Sequence, residues 1–247
     1  SEILFSRFLI GFIFLLPFMI RDGDFKVELS QWPFLVMRNL AGIASMLLTF
    51  YTIKYLPISI AVLLMNTSAL FVPLLLFVLR TRTPLKVLAC SFLGFAGVSI
   101  IMLTDSSKHF ELQHIGYALG AAFLAAMAFI SLQELNKHNS PKNIVFYFHL
   151  LGSLLLPLFF ATQWTIPSAQ GFVLLLLVGG FGLVFQLLLT RAFKYAPANV
   201  ITPFAFTGVI FSSICDWLFW HNVPTLNFWI GSLVIIVSVS LLAKIRR

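Results

Sequence analysis

The side chains of this chain that can exchange hydrogen bonds with a ligand stand mostly inside long apolar runs. A polar group among apolar surroundings is costly unless it bonds a partner or faces a polar pathway. Each such residue therefore has two interpretations, hydrogen bonding within the protein or contact with a small molecule. The candidates for contact with a small molecule are Asn66, Thr67, Gln186, Thr207, Ser45 and Tyr51.

Two residues have the chemistry to carry a proton, Asp216 and His149. Asp216 is the acidic residue deepest within an apolar run, and a histidine titrates near neutral pH. The alternatives are a solvated carboxylate near the end of the run and a neutral, hydrogen-bonded imidazole. Arg7 and Arg38 lie near the ends of two runs, where each either extends its head group to water or holds an anionic group.

Signatures of catalysis and of metal binding are missing from the sequence. There is no H-E-x-x-H motif, and His109 and His114 have no cysteine near them. Gly179-Gly180-x-Gly182 lies inside an apolar run rather than after a strand, so it is a weak match to a phosphate-binding loop. We expect a protein that is not an enzyme and that has no cofactor and no metal ion.

The composition is that of an integral membrane protein. Apolar residues make up 60% of the chain and charged residues 10%, with a mean hydropathy of +1.00, whereas soluble domains have about 25% charged residues. The apolar runs have the length of about 20 residues that a helix needs to cross the hydrocarbon core. Because backbone groups in lipid must be paired within the element, these runs are predicted to be helices.

Nine transmembrane helices with short connections are predicted. Their bounds are 2–20, 32–54, 58–79, 85–104, 114–135, 143–162, 171–194, 198–220 and 226–244. The connections leave no room for a soluble domain. The predicted fold class is therefore an all-α integral membrane protein.

One stretch of the sequence occurs twice, with an offset of 140 residues. A Lys-Tyr-x-Pro motif ends at Pro57 in the first copy and at Pro197 in the second, and Thr67 recurs as Thr207. In each copy one apolar run ends at the motif and the next begins at once. The pattern predicts a tight turn between two long helices, with Pro57 and Pro197 as the turn or hinge residues.

The same offset pairs helices along the whole chain. It matches Pro157 with Pro17 and Gly182 with Gly42. The last four predicted helices pair with the first four, and the fifth has no partner. We therefore expect a five-plus-five architecture that lacks its first helix here, with repeats at residues 1–110 and 111–247; a nine-helix protein is the alternative. On this expectation the upstream reading frame encodes another apolar run, and the chain without it is poorly active.

An odd number of helices per repeat inverts the second copy in the membrane, as in many secondary transporters. All but three of the 16 Lys and Arg residues fall on one predicted side, and the exceptions are Arg7, Lys54 and Lys108. The positive-inside rule makes that side cytoplasmic and places the C-terminus there. The same distribution explains the net charge of +8 without a nucleic-acid partner.

A set of short motifs runs along the chain in a fixed order. They are Phe5-x-Arg7, Pro17, Arg38-x-x-x-Gly42, Phe50-Tyr51-x-Ile53-Lys54-Tyr55-Leu56-Pro57, Thr67-Ser68-Ala69-Leu70-Phe71-Val72 and Val223-Pro224. With two repeats of five helices, the chain resembles the drug/metabolite transporter superfamily and specifically its EamA-like family. The resemblance covers essentially all 247 residues, without the first helix of that family. One departure is that Thr81 and Asn222 stand where the family usually carries Glu, which weakens any transfer of a coupling mechanism.

The resemblance implies a secondary transporter of the bacterial inner membrane that works by alternating access. The expected partners are a small-molecule substrate, the lipid bilayer and protons as the coupling ion; no oligomeric state is indicated. The expected activity is export of an amino acid or a related metabolite, through a site lined by the second, third, seventh and eighth helices. The alternatives are uptake of a nucleoside-like metabolite such as S-adenosylmethionine and, in another class, an intramembrane enzyme or a non-transporting scaffold.

Overall fold

The structure is a computed structural model that describes residues 2–56, 58–79, 84–102, 111–160, 167–221 and 223–245. These residues form α-helices and two short 3₁₀ turns, and no strand is found among them. The helices are α1 (Glu2–Asp22), α2 (Trp32–Thr52), α3 (Ile58–Asn66), α4 (Ser68–Val78), α5 (Leu85–Met102), α6 (Leu112–Leu135), α7 (Pro141–Phe160), α8 (Ala169–Tyr195), α9 (Ala198–Ile201), α10 (Thr207–Trp220) and α11 (Leu226–Ile245). The 3₁₀ turns are Leu29–Gln31 and Thr202–Phe206.

The prediction of an all-α membrane protein is confirmed. Seven stretches in the described part of the chain are long and apolar enough to cross a membrane. They are Ile3–Asp22, Leu29–Thr52, Ala61–Val78, Leu112–Leu135, Ala169–Tyr195, Ala198–Phe219 and Leu226–Lys244. Helix α5 contributes a shorter apolar stretch, Leu85–Ile101, and α7 is a further helix of 20 residues. Each predicted span thus corresponds to one helix, or to consecutive helices in the two cases described next.

Two of the predicted spans are interrupted by a tighter turn, although the backbone keeps right-handed helical dihedral angles at Thr67, Ile201, Phe206 and Thr207. The sequence pattern does not reveal these interruptions. The third span divides into α3 and α4 at Thr67, and the eighth divides into α9, the turn Thr202–Phe206 and α10, which begins at Thr207. Thr67 and Thr207 are the equivalent residues of the doubled stretch. Both therefore lie where an interrupted helix resumes.

Local hydrogen bonding accompanies both interruptions. The hydroxyl of Thr67 donates to the Leu64 carbonyl at 2.5 Å, and that of Thr207 donates to the Phe204 carbonyl at 2.7 Å. Each is a bond to the residue three positions earlier, which competes with the regular ladder and favours a tighter 3₁₀ turn. In the second copy Pro203 also lacks an N–H, so the helix loses one i→i−4 bond.

The chain divides into two compact units. The first comprises Ser1–Met46 and Ser131–Ala196, and the second comprises Leu47–Ile130 and Pro197–Arg247. Under the 140-residue offset, the first unit contains α1 with its counterpart α7 and most of α2 with its counterpart α8. The second unit contains the interrupted pair and the pair α5 and α11. Each unit thus joins helices from both predicted repeats, and the division into repeats at residue 110 stays a prediction from the sequence.

In the first unit, α1 packs along both α7 and α8. Small residues allow the approach, because Phe8 occupies the space beside Gly152, and Ile10 the space beside Gly179. The connection after α1 is held on the start of α7 by the Asn143 amide, which donates to the carbonyls of Asp24 at 2.8 Å and Lys26 at 3.2 Å. The described segment between α1 and α2 is therefore anchored to this unit.

In the second unit, α5 and α11 form the most extensive helix pair. They approach closely at Gly97 and Gly231, and the Ser238 hydroxyl donates to the Cys90 carbonyl at 2.6 Å. Close approach at glycine and a hydroxyl bond between helices are typical devices of membrane helix packing. This pair is the platform against which α3, α4 and the turn Thr202–Phe206 pack.

Candidate functional site

A buried arginine is the main polar feature of the first unit. Arg38 lies in the second turn of α2, and only 3% of its surface is exposed. Its guanidinium lies over the ring of Phe148 from α7, with Cζ 4.1 Å from the ring centroid. Nη2 donates to Oε1 of Gln186 on α8 at 3.3 Å. The interpretation that Arg38 extends its head group to water is therefore wrong.

Two glycines make room for two arginine side chains. A Cβ added at Gly42 would collide with Nη1 of Arg38, one turn earlier on α2. A Cβ added at Gly182 would lie 2.7 Å from Nε of Arg7. Gly42 and Gly182 are counterparts in the doubled sequence. In both copies, therefore, the space that the missing side chain of the glycine leaves is filled by an arginine side chain.

The charge of this site is not balanced by a carboxylate in the described part of the chain. The ion pairs found there involve Arg21, His114, Lys137 and Lys142, and none includes Arg7 or Arg38. Nε of Arg38 is buried and has no hydrogen-bond partner among the described residues. A guanidinium has five N–H donors, so this one can donate further hydrogen bonds to an incoming anion or other acceptor.

His149, a predicted coupling residue, is buried near this site. Its Nδ1 lies 2.8 Å from the Val145 carbonyl, which can only accept, so Nδ1 carries the proton and donates. The ring contacts that of Phe8, with centroids 5.7 Å apart, and fills the space beside Gly11. This geometry is that of a locally bonded imidazole, and its role in coupling stays a prediction.

In the second unit, the two interrupted helices meet at their interruptions. Leu63 and Ala69, on either side of Thr67, share one buried cluster with Phe206 and Val209, on either side of Thr207. Helix α4 also contacts α9 and the turn Thr202–Phe206. The structure therefore brings together the segments that carry the two threonines.

The predicted polar residues of this region bond their own backbone in this conformation. Besides the threonine bonds described above, the Asn66 amide donates to the Val62 carbonyl at 3.0 Å. Asn199, which was not among the predicted residues, is buried next to the second interruption and its Oδ1 has no partner among the described residues. Its position within the doubled stretch was the signal available in the sequence.

Tyr51 belongs to an aromatic cluster of the second unit. Its ring lies 4.9 Å from that of Tyr55 and 5.5 Å from that of Tyr117. The Tyr55 ring in turn stacks on His114, with centroids 4.4 Å apart and an interplanar angle of 16°. Such rings offer stacking faces to a ligand, and clusters of this kind also anchor helices at the membrane interface.

The remaining predicted residues are placed as follows. Ser45 is buried in the part of α2 that belongs to the first unit. Asp216 lies in α10, and its side chain is outside the described part of the structure. Pro57 also lies outside the described residues, and Pro197 directly precedes α9 as its N-cap. The structure therefore joins Gln186 to Arg38, and joins the segments of Asn66, Thr67 and Thr207.

Phe148 was missed as a site residue, because an aromatic residue in an apolar run carries no sign of its neighbours. The available signal was the Arg-x-x-x-Gly spacing of Arg38 and Gly42, which places both on one helix face. Without a side chain at the glycine, the arginine can lie along its own helix instead of extending outwards.

The apolar spans, the interrupted helices and the buried polar groups define a multi-pass helical membrane protein. The chain belongs to the EamA-like transporter family, whose sequence profile matches residues 1–103 and 113–244. The resemblance drawn from the motifs is thereby confirmed.

Similar proteins span most of the chain. It is 28% identical over 250 residues to the pseudopaline exporter CntI of Pseudomonas aeruginosa, and the alignment covers 100% of this chain and 87% of that protein. It is 29% identical to a riboflavin transporter of Brucella anthropi, over 95% of this chain and 84% of the other. It is 26% identical to an S-adenosylmethionine uptake transporter of Rickettsia prowazekii, over 95% of this chain and 80% of that protein.

A solved crystal structure has the same fold. It superimposes with a TM-score of 0.80 over 98% of this chain and 88% of its own, at 15% sequence identity. Because the identity is low, this likeness concerns the fold alone.

Proposed function

We propose that this protein is a secondary transporter that moves a small metabolite across the cell membrane by alternating access. The observation that carries the proposal is the meeting of two interrupted helices at Thr67 and Thr207, in a chain of the EamA-like transporter family. Breaks in the regular hydrogen bonding of a helix are a recurrent site of substrate and ion binding in transporters.

The hydrogen bonds at the interruptions are suited to exchange. Asn66, Thr67 and Thr207 bond carbonyls of their own helices, and such a bond can be given up for a substrate acceptor at little net cost. Pro203 leaves the Asn199 carbonyl without its usual helical donor. We assign substrate contact to these threonines and to Asn66, and we add Asn199 as a candidate. Gln186, Ser45 and Tyr51 stay candidates on the arguments from sequence.

Export of an amino acid or a related metabolite is the favoured activity. The name of the Pseudomonas relative as an exporter supports this direction. Uptake of a nucleoside-like or flavin-like metabolite is the second candidate, and the names of the Rickettsia and Brucella relatives favour it. We also propose a cytoplasmic C-terminus, which the positive-inside rule supports, and we keep Asp216 and His149 as the candidates for proton coupling.

Flux through the purified, full-length protein tests the proposal. Proteoliposomes are loaded with radiolabelled amino acids, S-adenosylmethionine or riboflavin, with and without a proton gradient, and efflux and uptake are followed. We expect protein-dependent flux of one of these classes in one preferred direction under the gradient. Flux no faster than in empty liposomes for all three classes contradicts transport of these metabolites.

The site is tested by Asn66→Ala against a matched control. Asn136 makes the same bond as Asn66, donating from Nδ2 to a carbonyl four residues earlier at 3.0 Å, but it follows α6 and belongs to the other compact unit. We expect Asn66→Ala to lower flux about 10-fold or more, by analogy with the loss of one buried hydrogen bond to a ligand. Equal flux in Asn66→Ala and Asn136→Ala rules out this assignment.

A further inference from the structure

The arginine site of the first unit carries an inference about the substrate, which rests on the proposed function. Arg38 is almost fully buried, and the described residues place no carboxylate within ion-pair distance of it or of Arg7. Removing an unpaired charge from water is expensive, and a protein that needs only packing at this position is served better by an apolar residue. A charge retained at such cost requires a counter-charge from elsewhere.

The guanidinium of Arg38 is held in a fixed plane. Phe148 covers one of its faces, and the missing side chain of Gly42 gives it space along α2. At its edge, Nη2 is occupied by the amide oxygen of Gln186, and Nε has no partner among the described residues. An edge with free or exchangeable N–H groups is the part of arginine that binds a planar acid in bidentate fashion.

Arg7 adds a second positive charge on the same face of α8. Its Nε lies at Gly182, and the Arg38 contact is at Gln186. These two positions are one helical turn apart, which corresponds to about 6 Å along the helix axis. The two guanidinium groups therefore converge on one short segment of α8.

We infer that Arg38 binds the carboxylate of the transported metabolite, with Arg7 adding charge one turn away and Gln186 occupying the guanidinium when no substrate is present. Gln186 presents a neutral planar oxygen at 3.3 Å, and a carboxylate oxygen forms the shorter and stronger charge-assisted bond there. Exchange of the amide for the acid costs one weak hydrogen bond and supplies the missing counter-charge. A substrate with a free carboxylate, such as an amino acid, fits this site.

Binding is measured separately from transport. The purified full-length protein is unfolded thermally in a neutral detergent with a mixture of free L-amino acids, with the same amino acids as carboxamides, or with inorganic phosphate. We expect the free amino acids to raise the midpoint of unfolding and the carboxamides to leave it unchanged. No shift with the free acids, or equal shifts with acids and amides, overturns the inference. A larger shift with phosphate than with amino acids overturns the choice of a carboxylate.

Variants connect the effect to Arg38. In Arg38→Gln the apparent affinity for the free amino acids should fall about 10- to 100-fold, the effect of losing a hydrogen bond to a charged group. The control is Arg191→Gln, which removes an exposed arginine from the same helix as Gln186 and should bind like the wild type. Equal affinity in both variants contradicts the assignment.

Gln186→Glu keeps the inference testable if Arg38→Gln does not fold. The new carboxylate would pair with Arg38 internally, so this variant should unfold at a higher temperature than the wild type and lose its response to free amino acids. An unchanged response overturns the inference. If free amino acids bind through Arg38 but no flux is found, the result contradicts the proposed transport and supports the carboxylate site. If a neutral metabolite is transported and no free amino acid binds, the result supports the proposed transport and contradicts the carboxylate site.

Discussion

The close approach of α5 and α11 gives a quantitative test of the fold, through Gly97→Ala. A Cβ at this position would lie 2.8 Å from the carbonyl oxygen of Gly231 and 3.1 Å from the backbone nitrogen of Ile235. Ordinary contacts of a Cβ atom lie at 3.4–4 Å. Because both neighbours are backbone atoms, no side chain can rotate to make room, and the two helices must separate.

The size of the effect follows from this geometry. A separation of roughly half an ångström gives up about a quarter of each contact across the pair, and overpacking of this kind typically costs about 1–3 kcal/mol. Alanine recovers roughly 0.5–1 kcal/mol over glycine within a helix. The expected net destabilisation is therefore on the order of 1–2 kcal/mol.

Thermal unfolding of the purified protein in detergent, followed by tryptophan fluorescence, measures this difference. For a chain of this size about 1 kcal/mol lowers the midpoint by roughly 2–4 °C. Gly208→Ala is the matched control, because it lies in the same unit and its added Cβ meets nothing within 4 Å; it should be neutral or slightly stabilising. If Gly97→Ala unfolds at the same temperature as Gly208→Ala, or higher, the described packing of α5 on α11 is wrong.

Two further predictions concern the first unit. In Gly182→Ala the added Cβ should displace the flexible side chain of Arg7 rather than backbone, so we expect no loss of stability but a several-fold lower affinity for free amino acids. Gly180→Ala is the control, because its added Cβ meets open space, and the two variants should unfold at the same temperature. Equal affinities in the two variants would contradict the role of Arg7. Asn143→Asp places a carboxylate against the carbonyls of Asp24 and Lys26 and should destabilise the protein by about 1–3 kcal/mol. In the same unfolding assay, Asn143→Ala should destabilise the protein less. The reverse order would show that these bonds do not hold the connection between α1 and α2.

The positions of the helices were predictable from the sequence because they depend on local composition. An apolar run of about 20 residues has few alternatives to a helix in lipid, and the predicted spans agree with the helices for that reason. The interruptions at Thr67 and Thr207 were not predicted, since a threonine within an apolar run is compatible with a continuous helix. The hydroxyl bond to the carbonyl three residues earlier does not distinguish the two cases by itself, because Ser153 makes the same bond within the continuous helix α7.

The site shows the same limit. Gln186 and the polar residues of the doubled stretch were identified as candidates because a polar group within an apolar run is costly unless it bonds a partner or faces a polar pathway. Their partners were not identified, because the bond between Arg38 and Gln186 joins residues 148 positions apart. Such pairs depend on which helices are neighbours, and the periodicity of a single helix contains no information on that.

The sequence by itself determined that this protein is a helical membrane protein with a doubled stretch, and its motifs indicated the family. These properties follow from hydrophobicity and repetition, which each segment carries on its own. The tertiary structure decided that the two interruptions meet and that Arg38 remains inside, covered by Phe148 and bonded to Gln186. The physical reason is that the free energy of a buried charge or an exchangeable hydrogen bond depends on groups supplied by other helices, and only packing brings those groups together.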